Sequence, residues 1–89
     1  MEKTLDALRN EIDVIDKELL HILGKRMVIV GQIGKLKKEK NIKLRDEERW
    51  QNVLMRIKDI ATKQNLSEDL VKKIYEEIHK AALTIEKNV

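Results

Sequence analysis

Cysteine, proline and phenylalanine are missing from these 89 residues, and tryptophan, tyrosine and serine occur once each. Without cysteine there is no disulfide framework, no thiolate nucleophile and no thiolate metal site, which is the pattern of a reducing compartment. With aromatics at 2% of the chain, the core has to come from Leu, Ile, Val, Met and Ala, a palette suited to helix-on-helix packing. No apolar run approaches the roughly 20 residues that span a bilayer. The opening MEKTLDALRNEID is charged from its second residue, unlike a signal peptide. The expectation is a cytoplasmic protein with no membrane association.

Charge is abundant but nearly balanced, 19 Lys and Arg against 16 Asp and Glu, for a net +3. Asp13/Lys17, Glu68/Lys72, Asp69/Lys73 and Glu76/Lys80 have the i, i+4 spacing of exposed helix pairs, which accounts for many of the charges locally. KLKKEK and a pI of 9.2 raise nucleic acid as a partner. No aromatic platform and no recognition helix rich in Arg and Asn accompanies them, so none is expected.

Leu5, Leu8, Ile12, Ile15, Leu19, Ile22, Ile29, Ile33 and Leu36 follow one another at steps of three and four, with a gap at 26. That is a helical seam, and it predicts a helix over about 4–39, roughly 50 Å long. Asn41, able to adopt the left-handed conformation, marks its end. A second helix is predicted over about 46–63, with Trp50, Val53, Leu54, Ile57, Ile60 and Ala61 inward. A third is predicted over about 68–87, capped by Ser67, with Val71, Ile74, Tyr75, Ile78, Ala82 and Ile85 inward.

The chain reads as one all-α domain, 1–89, with one very long helix and two shorter ones. A compact monomer of this size has a radius of gyration of about 12 Å, so the first helix must project from its own fold. Two chains intertwined in a helical-bundle homodimer would cover it. Gly24, Gly31 and Gly34 each cost this helix up to about 1 kcal/mol relative to Ala. Close approach of another helix is the reading adopted for all three, against the alternative of a break into a hairpin.

Some polar residues stand where the seam calls for apolar ones. Arg26 fills the gap between Ile22 and Ile29, and Lys37, eleven residues on, returns to within about 20° of the same direction. Asp46 and Arg49 open helix two, and Glu86 falls near the inner face of helix three. Single inward cations commonly snorkel or pair with an acid. An inward set of Arg26, Lys37, Asp46, Arg49 and Glu86 instead suggests a site for a small molecule rich in carboxylates. Arg9 lies about 25 Å along the helix from Arg26 and can reach that site only from a second chain. His21 and His79 are expected off the inner faces, without a second ligand at metal spacing, and no glycine-rich phosphate loop is present. No cofactor and no metal are expected; positioning and charge stabilisation remain as means of catalysis.

LRNEIDVIDKELLHILGKRMVIVGQIGKLK, then LRDEER, then IYEEIHKAALTIE, closely resemble the all-helical (AroQ class) chorismate mutases along nearly the whole chain. The resemblance implies an intertwined dimer that rearranges chorismate to prephenate on the route to phenylalanine and tyrosine. It implies that Arg26 binds one substrate carboxylate, that Arg9 of the other chain helps with the second, and that Lys37 donates to the ether oxygen of the breaking bond. Asp46 and Arg49 would shape the helix-two wall. Glu86 would be the second donor to that oxygen, a role only its protonated form can fill.

Two positions depart from the family pattern: Trp50, read as core or wall, stands where a Glu often holds the ring hydroxyl, and Ala82 stands at a position often occupied by Ser or another small residue; Glu48 or Asp46 could take over the hydroxyl. Two rival readings follow. One is an enzyme resembling those that eliminate pyruvate from isochorismate. The other is a non-catalytic regulatory or docking module, against which the inward charges of Arg26 and Lys37 argue.

Overall fold

A computed structural model describes residues 2–89 as three helices: α1 (Leu5–Glu39), α2 (Glu47–Lys63) and α3 (Glu68–Lys87). Each begins at a short polar cap that accepts a backbone N–H otherwise left without a partner. Thr4 Oγ1 accepts from Ala7 N at 3.1 Å, Asp46 Oδ1 from Arg49 N at 3.0 Å and Ser67 Oγ from Leu70 N at 3.2 Å.

The ends of α1 and α2 share one device. Asn41 and Asn65 take positive φ, 55° and 57°. Ile42 N then donates to Lys37 O at 2.8 Å and Leu66 N to Ala61 O at 2.9 Å. These are Schellman closures with asparagine in the usual glycine position. The break at Asn41 was legible in the sequence; the matching one at Asn65 was not singled out.

α3 lies in the middle, packed on α1 on one side and on α2 on the other. The chain measures 59 × 24 × 15 Å, with a radius of gyration of 16.7 Å, well above the roughly 12 Å of a compact domain this size. The first helix does project: every residue from Glu2 to Ile22 is exposed. No helix among the described residues is long and apolar enough to cross a membrane.

The seam read from α1 does not face the rest of its own chain. Its nine apolar members are between 42% (Ile33) and 63% (Ile22) exposed. The face that α1 turns toward α3 is a neighbouring stripe, with Val30 and Gly34 buried and Leu23, Met27 and Lys37 half-buried. On α2, Val53, Ile57 and Ala61 are buried as expected and join Val71 in the core, with Trp50, Leu54 and Tyr75 against it. Ile60 and Ile74, both expected inward, are 48% and 47% exposed. They border a large apolar hollow that also takes in Leu19, Ile22 and Leu23 of α1.

The three glycines differ. A Cβ on Gly34 would lie 2.7 Å from Glu86 Cα, so α3 approaches α1 there as closely as a backbone can. At Gly31 the nearest atom would be Ile85 Cγ2 at 3.9 Å, an ordinary contact, and at Gly24 nothing lies within 4 Å. Close approach therefore explains Gly34 and, within one chain, does not explain Gly24.

Candidate active site

The contact at Gly34 organises a cleft. One turn further along α1, Lys37 meets α3 where Gly34 has let it come close, and Lys37 Nζ lies 2.6 Å from Glu86 Oε1. The two side chains are only 16% and 9% exposed, so the pair sits in a poorly screened environment. Lys37 Nζ also donates to Leu44 O at 2.7 Å, tying the α1–α2 connection to the same point. The contact is an ion pair without hydrogen-bond geometry, and Glu86 Oε1 is buried with no hydrogen-bond partner.

Between the three helices lies a cleft of about 370 Å³, within the size range of small-ligand sites. Six of the seven residues marked out from the sequence line it: Arg26, Lys37, Asp46, Arg49, Ala82 and Glu86. Arg9, the seventh, is exposed on the projecting part of α1 and does not reach it. The eleven-residue spacing did bring Arg26 and Lys37 to one wall. Asp46 serves first as the cap of α2, and its hydrogen bond to Arg49 N fixes the turn from which Arg49 extends.

Arg26 is the most telling member. Its guanidinium carbon lies 5.8 Å from the centre of the Tyr75 ring, within cation–π range, while its Nη1 is buried with no hydrogen-bond partner. A buried donor without an acceptor costs about 1 to 3 kcal/mol. A core with no use for the charge would not keep it; a ligand carboxylate would satisfy it.

The sequence reading placed His79 off the inner face, and the structure corrects this. His79 lines the cleft, its ring stacked on Trp50 with centroids 4.1 Å apart and planes 11° from parallel. His79, Ala82, Leu83 and Glu86 follow the i, i+3, i+4, i+7 pattern of one helix face, a signal present in the sequence. This face is turned from the apolar stripe of Val71, Tyr75 and Ile78. Burial, and after it the Arg45 guanidinium, hold the His79 imidazole below its ordinary pKa of 6.5; Glu47 and Glu86 act in the opposite direction, and Arg26 adds a smaller downward push. Trp50, which stands in the wall and packs on the core, is closed off on one face by this ring.

Three cations, Arg26, Lys37 and Arg49, thus face two carboxylates, Asp46 and Glu86, around a neutral aromatic end wall. Fold and cleft define an all-helical protein with a small cationic pocket, suited to holding an anionic molecule in a set conformation and stabilising charge on it. The chain belongs to the type II chorismate mutase family, whose model matches residues 8–87.

Among similar proteins is a bifunctional chorismate mutase/prephenate dehydratase of Aquifex aeolicus, 35% identical over 89 residues, covering 96% of this chain and 24% of that protein. A T-protein of Haemophilus influenzae is 33% identical over 72 residues, covering 81% of this chain and 19% of that protein. A chorismate mutase of Methanocaldococcus jannaschii is 27% identical over 76 residues, covering 85% of this chain and 77% of that protein. The chain therefore spans about a fifth to a quarter of the length of the first two and most of the third.

Proposed function

We propose that this chain is a chorismate mutase, catalysing the rearrangement of chorismate to prephenate for phenylalanine and tyrosine synthesis in the cytoplasm. The observation that carries this is the buried, unpartnered Arg26 Nη1 in the same cleft as the Lys37–Glu86 pair. In this reading Arg26 takes one carboxylate of the substrate. Lys37 turns its ammonium from Glu86 to the ether oxygen, and Glu86 acts as the second donor to that oxygen only in its protonated form. Asp46 and Arg49 close the helix-two side.

The reaction is unimolecular. The ether C–O bond breaks as a C–C bond forms within the same molecule, so no nucleophile, oxidant or proton donor is consumed. Holding the compact conformer and stabilising negative charge on the departing oxygen are sufficient means of catalysis. Mixing the protein with chorismate and identifying the product tests the reading: prephenate is expected, and no prephenate overturns it. Pyruvate release from isochorismate by an otherwise inactive protein would favour the lyase instead, the outcome to which Trp50 in the wall would then point.

The functional unit in this reading is a homodimer. The apolar row along α1 and the hollow beside Ile60 and Ile74 form a larger apolar surface than isolated soluble chains usually leave uncovered. A second copy laid along α1 would cover it and carry its own Arg9 toward the cleft as the second carboxylate ligand. Sedimentation at micromolar concentration is expected to give twice the 10.5 kDa chain mass; a monomer alone would rule out the delivery of Arg9.

A further inference from the structure

Chorismate carries two carboxylates, an ether oxygen and one ring hydroxyl, and for the hydroxyl the cleft offers the free oxygen of Asp46, the cation Arg49 and the imidazole of His79. Lys37 and Glu86 face each other at 2.6 Å. One carboxylate oxygen of Asp46 is held by Arg49 N. Arg26, a buried cation, suits a carboxylate. Trp50 offers a donor only, and one of its ring faces is covered.

Resting on the mutase reading, we infer that His79 is the residue that recognises the substrate's ring hydroxyl and so sets specificity for a hydroxylated ring. Its ring lies flat on Trp50 at 4.1 Å, which fixes the plane in which its two nitrogens lie. Neither nitrogen has a hydrogen-bond partner among the described residues. A neutral imidazole donates from one nitrogen and accepts at the other, which matches a hydroxyl whichever way its hydrogen points. Burial favours that neutral form.

Position supports the assignment as well. His79 is two helical turns before Glu86 on the same face of α3, and both line the cleft. A substrate held by Arg26 with its ether oxygen at Lys37 therefore presents its ring to the Trp50–His79 wall. Arg45 and Glu47 act on the His79 ring more strongly than Glu86 and Arg26, and His79 also lines a hollow on the outer side with Arg45 and Lys80.

The test compares chorismate with its analogue lacking the ring hydroxyl, using wild type, His79→Phe, which can keep the stack, and His79→Gln, which keeps a donor and an acceptor. The wild type is expected to prefer chorismate in kcat/KM by about 10-fold, the scale of one neutral hydrogen bond in a closed site. His79→Phe should bring that preference close to one, and His79→Gln should retain most of it. A general structural defect would instead slow both substrates equally and leave the ratio unchanged. An unchanged ratio in a folded His79→Phe protein overturns the role of His79 alone. Equal use of the two substrates by the wild type also overturns it, whether or not either variant folds. A wild type that turns over neither substrate overturns the mutase reading and this inference with it.

Discussion

Lys37→Ala is expected to lower kcat/KM for chorismate by about 100-fold to 1,000-fold, the range measured for removing one preorganised donor to a developing negative charge. Most of the loss should fall on kcat, because charge builds on the ether oxygen in the transition state and not in bound chorismate. The same substitution leaves the Glu86 carboxylate, 9% exposed, without its counter-charge. Breaking a buried pair from one side costs about 3 kcal/mol, so the variant should also unfold at lower urea. Lys37→Ala combined with Glu86→Gln separates the two effects. Removing the orphaned charge should recover most of the stability and none of the activity. A single Lys37→Ala variant with near wild-type kcat would remove Lys37 from the chemistry and leave it a structural ion-pair partner.

Gly34→Ala is expected to destabilise the fold even though alanine is the better helix former. Propensity favours Ala by up to about 1 kcal/mol. The added methyl would meet Glu86 Cα at 2.7 Å, Val89 Cγ2 at 2.8 Å and Glu86 O at 3.1 Å. Two of these atoms are backbone and cannot rotate aside, so α3 has to move. Overpacking of this kind costs about 1 to 3 kcal/mol and should prevail over propensity. The movement carries Glu86 away from Lys37, so activity should fall with stability. Gly24→Ala is the control: with nothing within 4 Å, it should gain up to about 1 kcal/mol. Urea midpoints should run Gly24→Ala above wild type above Gly34→Ala. Gly34→Ala at or above wild type would mean that the helices are not in backbone contact there. Loss of stability on Gly24→Ala would mean that a second chain packs against that position.

The class of fold was legible because it depends on local rules. Steps of three and four in apolar spacing, the Ser67 cap and an asparagine stop define three helices within about a residue of where they lie. The cationic wall was legible for a similar reason, since helical geometry alone places residues eleven apart, Arg26 and Lys37, on one line. The seam of α1 was also a real periodicity, but periodicity says that a face is apolar and not what covers it; within the chain that face is exposed, and a different stripe meets α3.

The ion pair between Lys37 and Glu86, forty-nine residues apart, depends on Gly34 admitting the α3 backbone, and no spacing rule links those positions. His79 shares a helix face with Glu86 by local spacing, but that this face meets Trp50 of another helix is a matter of packing. Local sequence determined the helices and the directions in which their side chains point. Which of those directions meet, and so which of three otherwise similar glycines is indispensable and which histidine enters the cleft, was decided by how the helices pack, a property of residue pairs distant in sequence.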